Sequence, residues 1–177
     1  HLIFMTINCK GELLSMDTPK VMGILNHTPD SFYEGSRVTE KTLLQRAETM
    51  LSQGADFIDV GGYSTRPNAP EVSQAEELTR VVPVVRSLVQ HFPEIRISVD
   101  TFRSEVARQS LLEGACIIND ISAGLLDEQM LTVVAQFQVP YIAMHLVGTP
   151  QTMQQHTDYK DIISDMRYYF SERKAKA

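Results

Sequence analysis

Asp100 and Asn119 each close a short apolar run, in Ser98-Val99-Asp100-Thr101 and Ile117-Ile118-Asn119-Asp120. On its own, Asp100 or Thr101 reads most simply as the cap of a following helix, because a side-chain oxygen there can accept from orphan backbone N–H groups. Together the two residues say more. A carboxylate accepts two donors side by side, and an amide offers both a donor and an acceptor. The pair can therefore read the edge of a heterocycle carrying amino and ring N–H groups, and a 2-amino-4-oxo-pyrimidine fits that edge.

Two polar segments accompany them. GGYSTRPNAP, residues 61 to 70, combines glycines and prolines with hydroxyls and one guanidinium. Its glycine and proline content suits a solvated turn. Arg66 between Thr65 and Pro67 reads equally well as an anion clamp, since arginine presents a planar fork to phosphate or carboxylate. GILNHTPDSFYEGS, residues 23 to 36, starts as a strand, then at Asn26 gives way to His27, Thr28, Pro29, Asp30 and Ser31. No packing argument requires that polar run. Asp59, inside FIDVGG, is a lone acid in an apolar strand and is read as a support residue. His145 has no second His or Cys at ligand spacing, so a packed core histidine ranks ahead of a metal ligand. His27 and His156 read as surface groups, and the methionines as core filler.

The elements that position these groups repeat. IFMTINCKGELLSM, residues 3 to 16, suits a hairpin around Lys10-Gly11 ahead of the main fold. Then KVMGIL is a strand, and Leu43, Leu44, Ala47, Met50 and Leu51 form the stripe of an amphipathic helix stopped by Gly54. DFIDVGG is followed by the Ser73/Glu76 capping-box signature and a helix through Leu78, Val81, Val82, Val85, Leu88 and Val89, with a kink expected at Pro83. RISVD precedes a helix with Val106, Ala107, Ser110 and Leu111 inward, and CIINDIS precedes one through Met130, Leu131, Val133, Val134 and Phe137. PYIAMH leads to a last helix expected to turn Ile162, Ile163, Met166 and Phe170 inward.

Five such alternations, with strands too uniformly apolar for a wet face, predict a parallel sheet covered by helices. A doubly wound sheet and a (β/α)8 barrel both fit the alternation. No G-x-G-x-x-G fingerprint follows the first strand, while polar residues end every strand, as in barrels whose βα loops converge on one face. The expected fold is therefore α/β, a (β/α)8 TIM barrel of which residues 20–177 supply about the first five βα units, with residues 1–19 as an N-terminal hairpin. The whole is read as the N-terminal portion of one domain.

Composition bounds the function. The 177 residues are 43% hydrophobic and 21% charged, enough for a sizeable core, and the formal charge of −6 argues against broad nucleic-acid binding. No window approaches the ~18 apolar residues of a membrane span, and no secretory h-region opens the chain, so a cytoplasmic protein with small-molecule partners and no membrane is expected. Cys9 and Cys116, far apart in sequence and each among apolar residues, read as buried free thiols. The chain begins at His1 and ends in SERKAKA, so both ends read as cut.

The motifs, taken in order, resemble those of the dihydropteroate synthases. GILNHTPDSFYEGS resembles the first signature of that family and GADFIDVGGYSTRP the second. The agreement continues in VSQAEELTRVVPVV, SVDTFRSEVA, GACIINDIS and MHLVGTPQTMQ, over nearly all of residues 20 to 170. The resemblance implies an enzyme of folate synthesis that joins 4-aminobenzoate to a dihydropterin carrying a hydroxymethyl diphosphate, releasing diphosphate. It implies Mg²⁺ held with the diphosphate by Asn26, and a mobile first loop that includes Thr28, Asp30, Ser31, Phe32 and Glu34. Thr65, Arg66 and Pro67 would organise the diphosphate and the aminobenzoate pocket, Asp100 and Asn119 would contact the pterin ring, and Met144 would be a further substrate-binding residue. Asp100, Arg66 and Thr65 are the residues it gives to catalysis. It further implies a homodimer for the full-length enzyme and sulfonamides as competitors of aminobenzoate.

Loss of diphosphate leaves a pterin-methylene cation, which an anionic Asp100 would stabilise as it forms. The attacking arylamine is neutral at pH 7, so no strong general base is needed. Two departures stand out. Glu34 occupies the place of the usual first-loop aspartate, and nothing after Lys160 supplies the Asp-Pro-Gly, lysine, arginine and histidine of the later strands. The 177 residues alone are therefore expected to be inactive. A pterin-binding methyltransferase domain and a non-catalytic pterin-binding module are the alternatives of other classes.

Overall fold

The computed structural model describes residues 5–26, 36–63 and 72–177, with residues 36–39 as backbone alone. A hairpin comes first: β1 (Thr6–Cys9) pairs antiparallel with β2 (Glu12–Ser15). Its turn uses Lys10 at φ 55° and Gly11 at φ 81°. Positive φ at both central residues matches the right-handed twist of the strands, which explains the Lys10-Gly11 signal.

The main sheet follows with β3 (Met22–Asn26), α1 (Ser36–Ser52), β4 (Phe57–Gly61), α2 (Gln74–His91), β5 (Ile97–Asp100), α3 (Ser104–Leu112), β6 (Ile117–Asp120), α4 (Met130–Phe137), β7 (Tyr141–Ala143) and α5 (Ile162–Lys176). The five strands lie in the order β3-β4-β5-β6-β7 and every neighbouring pair is parallel. Each neighbour is reached through a helix, the arrangement of the first part of a (β/α)8 barrel.

Period-two alternation divides each strand between two faces. Leu25, Ile58, Val60, Ile97, Val99 and Ile118 turn toward the helices and are fully buried. They pack on Leu43 and Ala47 of α1, Val81, Val85 and Leu88 of α2, Val106 and Leu111 of α3, and Met130 and Val134 of α4. Burying each of these larger aliphatic side chains contributes on the order of 1.5–3 kcal/mol. The other face carries Met22, Phe57 and Ile117 near its N-terminal end, where Cys9, Cys116, Ile7 and Leu14 join them in a second cluster. The hairpin thus covers the lower part of the inner face. Lys10 Nζ donates to Ile95 O at 2.9 Å, and Arg96 Nη2 to Glu12 Oε2 at 2.8 Å, fixing it there.

The helix ends follow the sequence signals. Ser73 Oγ accepts from Glu76 N at 3.2 Å, while the Glu76 carboxylate turns to Arg80 instead of closing the capping box. α2 continues through Pro83, which lies on its exposed side, so the missing N–H does not end the helix. Gly54 and Gly114 follow α1 and α3 at φ +98° and +105°. Left-handed backbone of this kind favours glycine.

α5 departs from expectation. Ile162 and Ile163 are 47% and 63% exposed, and Met166 and Phe170 are only half-buried. The apolar spacing is present, but α5 makes few contacts with the sheet among the described residues and nothing covers its first turn. Ile24, Ile142 and Met144, on the inner face, are likewise exposed. Cys9 and Cys116 are buried free thiols as expected. Burial pushes the Cys116 thiol up to about 12, which leaves it unreactive at neutral pH.

Candidate functional site

A single row of paired residues crosses the C-terminal ends of the sheet. Asn26 lies opposite Gly61, Gly61 opposite Asp100, Asp100 opposite Asn119, and Asn119 opposite Ile142. Paired residues of parallel strands share a face, so Asn26, Asp100 and Asn119 belong to the inner side of the sheet. Met144, two residues beyond Ile142, continues that parity past the end of β7. Four residues singled out from sequence are therefore gathered at one end of one face. Thr28, Asp30, Ser31, Phe32 and Glu34 of the first loop, with His27, and Thr65, Arg66 and Pro67 of the second loop lie outside the described residues.

Gly61 keeps the row open. A Cβ there would stand 3.0 Å from Asn26 Oδ1 and 3.7 Å from Asp100 Oδ2. The amide of Asn26 and the carboxylate of Asp100 thus face a common space over bare backbone.

Asp100 does not cap α3. Ser104 N is instead bonded by Asp127 Oδ2 at 2.7 Å, and Arg103 N by Thr101 Oγ1 at 3.1 Å. Freed from that task, Asp100 is half-buried on the inner face. Burial, followed by the like charges of Asp59, Glu77 and Asp120, pushes its carboxyl up to about 7. Shifts of this size at buried carboxylates are common at functional sites and also arise in structural acid clusters.

Asp59 sits one step deeper on the same face, 6% exposed, and accepts from Asn119 Nδ2 at 3.2 Å. Burial raises its carboxyl above the ordinary range, while the neighbouring Ser98 and Asn119 side chains act against the rise.

Two buried acids behind the site escaped the reading of the sequence. Asp120 points to the helix side, fully buried, and its oxygens accept Ser122 N and Oγ, Gly124 N and Tyr141 Oη. It shapes the turn that leaves β6. Burial first, then the bond to Asp120, pushes the Tyr141 phenol up. The signal was an aspartate two residues before a serine at a strand end, an Asx-turn pattern.

Glu77, fully buried on α2, pairs with Arg103 and accepts from Thr101 Oγ1 at 2.6 Å. Arg103 also donates to Val72 O at 2.6 Å, and Arg80 to Gly62 O at 3.0 Å. The start and finish of the second loop are thereby tied to α2 and to the end of β5. Glu77 stands four residues before Val81 on the apolar stripe of α2, so a charge on the buried side was legible. Tyr63 joins this group. Its ring meets Phe102 edge to face at 5.4 Å, and its hydroxyl accepts from Gln151 Nε2 at 2.9 Å. Segments following β4, β5 and β7 therefore meet at one end of the sheet.

His145 is half-buried against Tyr169, Tyr159 and Phe170, with its ring 4.8 Å from Tyr169. That is a packed histidine, as ranked first from sequence, and His156 is exposed. Among the described residues no group of three or more His, Cys, Asp or Glu side chains gathers to hold a metal ion. Asn26 Oδ1, open above Gly61, offers one neutral oxygen. That suits Mg²⁺, which keeps several waters and takes anionic oxygen ligands from a phosphate substrate.

The fold and site together define a parallel β/α barrel portion with a polar row at the C-terminal strand ends. The profile of the family described as "Pterin binding enzyme" matches residues 22–177, and the chain belongs to that family. It is similar to the dihydropteroate synthase of Synechocystis sp., with 51% identity over 152 residues that take in 85% of this chain and 52% of that protein. The structure is similar to that of the Yersinia pestis dihydropteroate synthase with a sulfonamide drug complex, at TM-score 0.85 and 44% identity, over 96% of this chain and 61% of that one. It is also similar to Xanthomonas albilineans dihydropteroate synthase with 4-aminobenzoic acid, at TM-score 0.83 and 38% identity, over 96% and 60%. The chain thus spans 52% to 61% of the lengths of these relatives.

Proposed function

We propose that this chain is the N-terminal portion of a dihydropteroate synthase, a transferase of folate synthesis. The reaction joins 4-aminobenzoate to (7,8-dihydropterin-6-yl)methyl diphosphate and gives 7,8-dihydropteroate and diphosphate. The observation that carries this reading is the row Asn26–Gly61–Asp100–Asn119, which sets an amide, an open space and an acid–amide pair side by side. Relatives named for this activity, and one bound to 4-aminobenzoic acid, support it.

In this reading Asp100 accepts ring and amino N–H groups of the pterin, Asn119 reads the adjoining edge, and Met144 borders the ring. Donation from the pterin favours the ionised form of Asp100, against the burial that otherwise keeps it protonated near neutrality. The bond from the pterin methylene to the diphosphate oxygen breaks, and its electrons leave with the diphosphate. The arylamine nitrogen then bonds to the methylene carbon and gives a proton to solvent. Asp100, opposite the developing cation, acts on the transition state more than on the ground state. Asn26, at the end of β3, would hold Mg²⁺ together with the diphosphate, and the ion when bound would supply positive charge beside the leaving group. Thr65 and Arg66 bind the departing diphosphate, and Pro67 borders the aminobenzoate pocket. The first-loop residues Thr28, Asp30, Ser31, Phe32 and Glu34 cover the bound substrates.

The 177 residues form the N-terminal part of a single pterin-binding domain, with the hairpin of residues 1–19 preceding the five units. The full-length enzyme is a cytoplasmic homodimer. No helix among the described residues is long and apolar enough to cross a membrane. The deciding experiment is an assay of diphosphate release by the full-length gene product with and without 4-aminobenzoate. Release that depends on aminobenzoate supports a synthase, and pterin binding without it supports a module of another class.

A further inference from the structure

Asp59 is buried without the bonding that a structural aspartate has. Its parity along β4 places it on the inner face, between Phe57 below and Gly61 above. Among the described residues its one hydrogen bond is from Asn119 Nδ2, two strands away, and Oδ1 has no partner. Ser98 Oγ, on the facing position of β5, is also buried; it lies close enough to lower the Asp59 carboxyl but forms no hydrogen bond of normal geometry. Asp120 shows the contrast: also buried, it fills both oxygens with four donors. A buried acceptor left open costs stability that the fold could recover by an apolar replacement. The burial of Asp59 therefore calls for a role in the site, and its single bond shows which.

We propose that Asp59 is a positioning residue that fixes the amide of Asn119 so that its carbonyl oxygen is presented to the bound pterin. This rests on the reading of the site as a pterin site. An ionised carboxylate has only acceptors, so the amide nitrogen is the atom that faces it, and Asn119 Oδ1 is left for the ligand. With Asp100 also an acceptor, the two neighbouring strand ends then select N–H groups. A 2-amino-4-oxo-pyrimidine edge offers them, whereas a 2,4-dioxo edge replaces the amino donor with an oxygen. Without Asp59 the amide of Asn119 can turn over and present its nitrogen, and the choice between the two edges weakens. Asp59 thus acts on selectivity through Asn119 and does not touch the reacting atoms.

The test uses the full-length gene product, titrated with 6-hydroxymethylpterin and with 6-hydroxymethyllumazine, its 2-oxo counterpart. The wild type is expected to prefer the pterin. Asp59→Leu, with apolar Phe57 and Ile117 nearby to receive it, is expected to bind the pterin about tenfold more weakly, the scale of one lost hydrogen bond, and to bring the pterin-to-lumazine ratio close to one. The KM for 4-aminobenzoate should not move. Asp59→Asn still offers an oxygen to Asn119 Nδ2 and is expected to restore the ratio. Asp59→Ala carries the same test if the leucine variant does not fold. A leucine or alanine variant that keeps the wild-type ratio overturns the inference, as does an asparagine variant that fails to restore it. A wild type that binds neither compound overturns the pterin reading itself, a different outcome from a selective wild type with indifferent Asp59 variants.

Discussion

Asp100 and Asn119 face each other across the C-terminal ends of β5 and β6, and Thr101 N donates to Asn119 O at 3.0 Å just beyond them. The backbone bond fixes the two strand ends side by side, so the backbone of Asp100 cannot move away from that of Asn119 without breaking the sheet. Asp100→Asn in the full-length gene product keeps that geometry and removes the charge. Turnover is expected to fall ~10²-fold or more, the scale of a lost electrostatic contact to a transition state. Steady-state kinetics check it. Wild-type turnover would remove Asp100 from the chemistry.

The same carboxyl sets a pH dependence. Burial and three acidic neighbours raise it from 3.8 to about 7, so it is mostly protonated below that value. A pterin that donates to the anion is expected to bind more tightly as pH rises through about 7, and then level off. The ligand-free fold has the opposite trend. A raised carboxyl contributes stability that is full below its unfolded value, near 3.8, and lost as pH rises through about 7. Titration of pterin binding from about pH 5.5 to about pH 8.5 should show the rise in wild type and a flat line in Asp100→Asn. Equal slopes in both would assign the transition to another group.

How much of this was legible varies with the physics of each signal. The strands, the helices α1 to α4 and the Lys10-Gly11 turn were readable because periodicity and punctuation are local. The row through Asn26, Asp100 and Asn119 was readable because each residue ends an apolar run, and parallel strands bring their ends together. Asp59 was noted as a support residue, but its partner Asn119 lies 60 positions away. Glu77 takes its donors from Thr101 and Arg103, beyond α2, whereas most donors of Asp120 are in its own turn, Ser122 and Gly124, a local Asx-turn signal. The exposure of Ile162 and Ile163 was not readable, since spacing shows that a stripe exists and not what covers it.

Gly61→Ala tests the open space between Asn26 and Asp100. The added carbon would stand 3.0 Å from Asn26 Oδ1, tight enough to displace the amide by a few tenths of an ångström. Gly61 has no positive φ, so the backbone accepts alanine. Activity is expected to fall by ~10-fold or more, because small misplacement of a positioning group is costly in rate. Melting should move by less than ~1 kcal/mol equivalent, since no core contact is lost. Full activity would place the diphosphate elsewhere.

Arg103→Met strands a charge. Glu77 is fully buried, and loss of its partner leaves the carboxylate with Thr101 alone. Removing one member of a buried pair costs about 3–5 kcal/mol, whereas replacing both by apolar groups is often close to neutral. Denaturant melts of Arg103→Met and of the double variant Glu77→Met/Arg103→Met should therefore differ, with the double variant the more stable. Two equally stable variants would show that the pair carries no buried charge penalty.

Residues 1–177 alone are expected to show no synthase turnover. The chain spans 52% of the Synechocystis relative and 61% of the Yersinia pestis chain. Among the described residues β7 borders the sheet with β6 alone paired to it, and Ile24, Ile142 and Met144 stand exposed on the inner face. An open edge beside exposed apolar side chains favours association, so limited solubility is also expected. Asp100, Asn119 and Asn26 are present and can still touch a pterin, which permits weak binding. Further contacts to ring and diphosphate, which the resemblance assigns to later strands, are not in these residues. Purified residues 1–177, titrated with the pterin diphosphate and Mg²⁺ and assayed for diphosphate release with and without 4-aminobenzoate, check both parts. Sustained aminobenzoate-dependent release would show that the groups on the first five units suffice for the chemistry.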